Sequence, residues 1–270
     1  MKELNGFEIE IYNQHGFKDG VKDSTCPKCS EDRKKKTDKC VKLDWNKGFA
    51  NCFHCGESMQ IHTYKKIQDN TSYKKPNFEY KELSKNVIGW FEGRGISQQT
   101  LSRLKVSGGV EWMPQTKKEM NTINFNYFLN EEIVNVKYRD GKKNFKLFKD
   151  AEKILYNLDS IRTSKDCVIV EGEIDCLSFV ESEIFNTVSI PNGFNLQGNI
   201  NLDYIDNYLD FFDNKDKIYL ALDNDEAGLK GKAEFIRRLG SERCYIVDFK
   251  DCKDANEYLI KYGKGELKDV

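Results

Sequence analysis

The chain has 270 residues, with 43 Lys plus Arg against 44 Asp plus Glu and a formal net charge of −1, enough length for one large domain or two to three smaller ones. At 39% hydrophobic and 32% charged it reads as a soluble, folded protein, and no apolar run approaches the roughly 18–20 residues that cross a bilayer, which excludes a spanning helix and argues against a membrane partner. The opening "MKELNGFEIEIYNQHG" has no apolar h-region, so no secretory signal is expected; nine cysteines then point to a reducing, cytoplasmic compartment, where close Cys pairs bind metal or do redox work.

Two C-x-x-C pairs come first, Cys26-Pro27-Lys28-Cys29 and Cys52-Phe53-His54-Cys55, with 22 residues between them. Two such knuckles bring four thiolates to one tetrahedral structural Zn²⁺. Gly56 follows where the second knuckle turns tightly, and "VKLDWNKGFANCF" alternates and turns at Asn46-Lys47-Gly48 as a β-hairpin would. A thioredoxin-type pair should precede a helix in a βαβ unit, and neither pair does. His54 or Cys40 could replace one ligand, although Cys40 has no knuckle partner and reads as spare. Phe53 is expected to fill the small ribbon core. "DRKKKTDK" is open between holding phosphate and being a solvated loop.

From Lys65 to Lys81, "KKIQDNTSYKKPNFEYK" is polar and reads as a flexible tether along which the cysteine-bearing unit moves. "ELSKNVIGWFEGRGISQQTLSRLKV" then suggests two short helices interrupted at Gly93–Gly95. "NTINFNYFLNEEIVNVKYRD" and "KNFKLF" are strand-like. Residues Lys137 to Lys153 hold seven basic residues against three acidic ones. Within them Lys137, Arg139, Lys142, Lys143 and Lys146 interleave with Tyr138, Phe145 and Phe148. Alternation along a strand would put the cations mostly on one face and the aromatics on the other. Either this stripe contacts phosphates, or it is a lysine-protected edge strand.

After Asp166 the order is strand, helix, strand, helix: "CVIV", "DCLSFVESEIF", "TVSI", "LDYIDNYLDFFDN", "KIYLALDND", "AGLKGKAEFIRRLG", "CYIVDF" and "DANEYLIKYG", the last helix ending at Gly263. That alternation predicts a parallel α/β sheet, whose ligands bind beyond the carboxyl ends of its strands. Acids gather there. "VIV" delivers Glu171, with Glu173 and Asp175 just beyond; "IYLAL" delivers Asp223 and Asp225; "YIVDF" is followed by Asp254. Any one of them could be a helix N-cap, as Asp225 and Asp254 are placed to be. Three strand ends sharing the pattern point to a divalent cation, Mg²⁺ or Mn²⁺, which turns repulsion into coordination.

"VIVEGEIDCLSF" followed by "ALDNDEAGLKG" resembles the two signature motifs of the TOPRIM fold. "KDANEYL" resembles the third acidic element of bacteriophage primases of the primase-helicase group. "FEGRGISQQTLSRLKVSGG" resembles the opening of the DnaG-type catalytic core, and "VKYRDGKKNFKLF" the basic hairpin before TOPRIM in the phage enzymes. The resemblance covers most of the chain. It implies an α/β TOPRIM parallel sheet preceded by a mixed α+β subdomain and an N-terminal all-β zinc ribbon. The expected bounds are 1–64 for the ribbon, 65–81 for the linker, 82–165 for the N-terminal subdomain and 166–270 for the TOPRIM subdomain.

It also implies a DNA primase, a nucleotidyltransferase making short RNA primers on single-stranded DNA from ribonucleoside triphosphates. The expected partners are the template, the nucleotides and a replicative helicase in cis or trans; the setting is a bacterial or phage-infected cell. Asp223, Asp225 and Asp254 are expected to hold catalytic metal, Glu171 to be general base or further ligand, and Asp175 to support the metal shell; Glu173 is expected to face solvent. Lys146 and Lys230 are candidates for the triphosphate, and Trp45, Lys47, Phe49 and Phe53 for the bases the ribbon reads. Gly228 permits a tight entry into its helix. A TOPRIM nuclease and a non-catalytic DNA-binding or helicase-loading module are the alternatives.

Overall fold

The computed structural model describes residues 21–44, 49–60, 72–77, 79–194 and 202–270. The first sheet is antiparallel, β1 (Val21–Ser24), β2 (Val41–Asp44), β3 (Phe49–Cys52) and β4 (Ser58–Gln60), in that order. Asp44 pairs with Phe49, which closes the expected β-hairpin. Among the described side chains, its core is Cys26, Val41, Leu43, Ala50 and Cys52.

The described part of the expected linker, 72–77 and 79–81, lies along the larger body. Lys74 N donates to Asp150 O at 2.9 Å, Lys75 pairs with Glu132, and Lys81 O accepts from Gly108 N at 2.8 Å. The helices α1 (Lys85–Glu92) and α2 (Gln98–Arg103) follow, with Ser84 and Ser97 as side-chain N-caps, and Gly95 at φ +74° turns the chain between them.

The second sheet is a meander of β5 (Ser107–Met113), β6 (Lys118–Leu129), β7 (Glu132–Asp140) and β8 (Phe145–Leu147). The sequence reading passed over β5, because Gly108 and Gly109 weaken a strand signal. Both are there for close approach: a Cβ on Gly108 would meet Glu82 O at 2.8 Å, and one on Gly109 would meet Asn124 Nδ2 at 2.6 Å.

The third sheet is parallel, in the order β10 (Thr187–Ser189), β9 (Asp166–Val170), β11 (Lys217–Ala221), β12 (Cys244–Ile246). Its helices are α3 (Glu173–Glu181), α4 (Asp203–Asp206), α5 (Glu226–Leu239) and α6 (Ala255–Lys268). A parallel sheet, a mixed subdomain before it and a small all-β unit with the cysteines form the architecture expected from the sequence.

Two elements differ. "LDYIDNYLDFFDN" is not one helix but α4 and a short 3₁₀ turn at Leu209–Phe211. Leu202, Tyr204, Ile205, Tyr208, Leu209, Phe211 and Phe212 are all buried, so enclosure on several sides, not a single helical stripe, sets their conformation. The last helix does not stop at Gly263. That residue kinks the backbone at φ +86°, and helical turns resume to Lys268 because Leu267 enters the core.

One apolar core runs from Phe91 and Ile96 through Phe125, Tyr127 and Tyr156 into Ile169, Leu220 and Leu267, joining the second and third sheets. Tyr127 and Tyr156 meet edge to face at 5.2 Å. The small first sheet touches this body at α5. Ser58 O accepts from Ser241 N at 3.3 Å, and Ser58 Oγ donates to Arg237 O at 3.5 Å.

Candidate active site

Parallel register places Ala221 beside Val170, so β11 and β9 release Asp223 and Glu171 at the same edge of the sheet. Asn224 N donates to Lys253 O at 3.0 Å, which pins the loop carrying Asp254 against that edge. The result is a cavity of about 490 Å³ lined by Glu171, Glu173, Asp175, Asp223 and Asp254 on one side. Lys137, Arg139, Lys143 and Phe145 of the second sheet form the facing wall, and Arg94, Lys253 and Asn256 complete it. Close backbone approach is built in. A Cβ on Gly228 would lie 2.1 Å from Asp223 O, so only glycine admits the turn into α5.

Burial and mutual repulsion together disfavour the charged forms of these acids. Burial first, then the charges of Asp223 and Asp225, push Glu171 up to about 7. Asp175 is raised well above the usual carboxylate range, by burial and then by Asp254 and Asp223. Asp223 is raised by burial despite its pairing with Lys253. Glu171 Oε2 is buried and has no hydrogen-bond partner. An orphaned carboxylate oxygen among repelling acids fits a divalent cation with oxygen ligands. The fit is for a cation that keeps part of its water shell: among the described residues, only the four thiols of the first sheet gather their ligand atoms within 4.8 Å of one another.

Those thiols are Cys26, Cys29, Cys52 and Cys55. The Cys26–Cys55 and Cys29–Cys52 Sγ separations are both 3.8 Å. A tetrahedral Zn²⁺ with Zn–S bonds of about 2.3 Å has an S···S edge of about 3.8 Å, so the set fits zinc. Cys40 stands beside it, its Sγ 3.5 Å from that of Cys52, but outside the four.

Several site expectations need correction or refinement. Phe53 does not fill the ribbon core; it is 71% exposed beside the exposed His54. Trp45 and Lys47 lie outside the described residues, as does the side chain of Phe49. Asp225 and Asp254 do cap helices, accepting from Gly228 N and Glu257 N at 2.9 Å. Asp254 lines the cavity while capping; Asp225 stands at its rim, its Oδ2 4.0 Å from Lys253 Nζ. Glu173 does not face solvent. It is buried, accepts from Tyr127 Oη, and pairs with Lys137 Nζ at 2.9 Å.

The cations do not share one face. Tyr138 pairs with Lys146 and Arg139 with Phe145, so Lys137, Arg139 and Phe145 face the cavity, while Tyr138 and Lys146 point to the other side of the sheet. There Lys146 binds Glu111 Oε1 and Trp112 O, each at 2.8 Å. Arg139 is buried, stacked over Trp90 at 4.6 Å. Lys142 is exposed at the turn and outside the cavity lining. Lys230 pairs with Glu226 along α5, also away from the cavity.

Sequence reasoning missed Arg94, Lys232, Lys253 and Asn256. Arg94 also stacks on Trp90, at 4.5 Å. Lys232, buried under the acidic loop, reaches Asn224 Oδ1 at 3.3 Å. Asn256 donates its backbone N–H to Asp175 Oδ1 at 3.1 Å, which docks the start of α6 onto α3. Lys253 and Asn256 both lie inside "KDANEYL", where only the acid had drawn attention.

Comparison with known proteins agrees with this geometry. Residues 168–259 match the Toprim-like family. The chain is 33% identical over 204 residues to a primase homolog protein of Arabidopsis thaliana, covering 70% of this chain and 59% of that protein, so it spans less than two thirds of that relative. In fold it is similar to the primase fragment of the bacteriophage T7 primase-helicase, with TM-score 0.53, 23% identity, and 92% and 97% of the two chains covered. It is also similar to the zinc-binding and RNA polymerase domains of Aquifex aeolicus primase, with TM-score 0.54, 13% identity, and 98% and 82% covered. The resemblance read from the sequence is thereby shown: residues 168–259 are Toprim-like, the chain is similar in sequence to a primase homolog, and it shares its fold with the T7 primase fragment and the Aquifex primase domains.

Proposed function

We propose that the chain is a DNA primase that joins ribonucleoside triphosphates on a single-stranded DNA template. The observation that carries this reading is the cavity in which Glu171, Asp223 and Asp254 face Lys137, Arg139 and Lys143. Acids alone would repel a nucleotide and cations alone would only bind one; the two walls together hold a polyphosphate and the cation that travels with it. The names of the similar proteins, a primase homolog and the primase fragment of a primase-helicase, support the same reading and a helicase partner in cis or trans.

In the reaction, a 3′-oxygen bonds to the α-phosphorus of the incoming nucleotide, the α–β phosphoanhydride bond breaks, and pyrophosphate leaves. Mg²⁺ or Mn²⁺, when bound, would neutralise the phosphates and acidify the attacking hydroxyl. Asp223, Asp225 and Asp254 would hold it, with Asp175 supporting them from its buried position. Glu171, its pKa lifted to about 7, is tuned either to take the hydroxyl proton near neutral pH or to join the ligands. Arg139 and Lys143 bind phosphate oxygens from the facing wall. Lys137 does so from a position fixed by Glu173. The ribbon, folded on one structural Zn²⁺, selects the template; exposed Phe53 is placed to stack on a base, and the sequence offers Trp45 and Lys47 for the same task.

The test is ribonucleotide incorporation on randomised single-stranded DNA with Mg²⁺ or Mn²⁺ supplied. The reading expects short, template-dependent RNA products. Release of nucleotides from the DNA with no synthesis would replace it with a nuclease, and binding with neither would replace it with a non-catalytic module.

A further inference from the structure

Lys253 stands where a cation would be wanted. Its Nζ is 3.0 Å from Asp223 Oδ2 and 4.0 Å from Asp225 Oδ2. Its backbone is held from two sides: the carbonyl accepts from Asn224 N, and the N–H donates to Glu257 Oε2 at 2.9 Å. The side chain is not held in this way, being 54% exposed. Two other cations of the cavity have partners away from these acids. Lys137 is paired with buried Glu173, and Arg139 is buried against Trp90. Among the described residues, Lys253 is the cation paired with the two acids of the "DND" turn.

We propose that Lys253 is a displaceable counter-ion: its ammonium neutralises Asp223 and Asp225 while no divalent cation is bound, leaves when one binds, and then serves the phosphate that arrives with the metal. This rests on the reading that these acids hold a divalent metal. The reasoning is competitive. A metal bound at about 2.1 Å from the Asp223 carboxylate would stand close to the ammonium that is 3.0 Å from its Oδ2. Like charges that close repel even through a high effective dielectric. The fixed backbone keeps the displaced side chain at the cavity, and four methylenes let its tip swing to a new anion. Metal alone must therefore work against Lys253, whereas metal with a polyphosphate gives Lys253 a new partner. The site thus favours joint binding of metal and nucleotide over metal by itself, and by linkage each strengthens the other.

The experiment is a titration of the full chain with Mn²⁺, counting free Mn²⁺ by spin resonance, with Asp223→Asn as the background. Lys253→Met should bind Mn²⁺ about tenfold more tightly than wild type in the absence of nucleotide. Lys253→Arg, which keeps the competing charge, should bind as wild type or more weakly. Lys268→Met, which removes an equal charge paired with Glu183 far along α6, should change nothing. A non-hydrolysable ribonucleoside triphosphate should tighten Mn²⁺ binding less in Lys253→Met than in wild type. Unchanged or weaker Mn²⁺ binding in a folded Lys253→Met protein overturns the proposal. Absence of any Asp223-dependent Mn²⁺ site in wild type overturns the metal reading as well, and the two failures look different.

Discussion

Burial and the charges of Asp223 and Asp225 push the Glu171 carboxyl up to about 7, and that has a consequence for stability. Its folded pKa, about 7, lies above the ordinary 4.5, so the folded protein holds a proton that the unfolded chain has released. The stability this proton contributes is complete below about pH 4.5 and is lost as pH rises through 7. Asp175 and Asp223 are shifted in the same direction. With no divalent cation added to the zinc-loaded protein, the melting temperature should fall from pH 5 to pH 8, and Glu171→Gln should flatten part of that fall. Added Mg²⁺ should restore wild type at pH 8 more than it restores the variant. Thermal unfolding across that pH range checks both arms. The acids themselves were legible because strand-end carboxylates stand out against an apolar run. Glu173 and Lys253 were misjudged or missed because their meaning depends on partners 36 and 30 residues away, Lys137 and Asp223, which no local pattern reveals.

The hairpin of β7 and β8 shows what alternation can and cannot tell. It correctly puts Lys137 and Arg139 on one face of β7, but the face of each residue on β8 depends on the turn. Asp140 Oδ1 accepts from both Lys142 N and Asn144 N, and Lys143 adopts φ +64°, so the turn closes with Arg139 opposite Phe145. Lys146 is thereby sent to the far face. Lys143→Ala should then weaken single-strand or nucleotide binding and lower the slope of log affinity against log salt by about 0.7, the value for one lost contact to a single strand. Lys146→Ala should leave that slope alone. A salt titration of both variants decides the matter, and equal effects would put the binding surface on the wrong side of the sheet. Lys137 is a poorer probe. Removing one member of its buried pair with Glu173 should destabilise the fold by about 3–5 kcal/mol, which would mask any binding effect.

For the whole molecule, the two bodies have very different means of support. The larger body has a continuous core through two sheets, while the core of the first unit, among the described side chains, is Cys26, Val41, Leu43, Ala50 and Cys52. A unit this short draws much of its stability from metal, and zinc in a four-cysteine site supplies on the order of 10–16 kcal/mol. One tightly held zinc per chain is expected by elemental analysis. Cys52→Ser should lose it and unfold residues 21–60, while the larger body keeps its cooperative melt, and full zinc retention in that variant would count against the ligand set. The cysteine spacing made this unit legible from sequence. Its contact with α5 through Ser58 was not, because two serines and a helix carbonyl carry no pattern.

The central claim is that the acidic edge of the parallel sheet exists for phosphodiester synthesis and not for the fold. Asp225 separates the two roles, since asparagine caps a helix about as well as aspartate but is a much poorer metal ligand. Primer synthesis and single-strand binding should be measured side by side on the wild type, Asp223→Asn and Asp225→Asn. The account predicts that both variants stay folded and bind DNA while synthesis drops by at least about a hundredfold, the scale on which lost transition-state charge stabilisation is felt. Primers made by Asp225→Asn at a near-normal rate would contradict it and place the metal, and the chemistry, somewhere else.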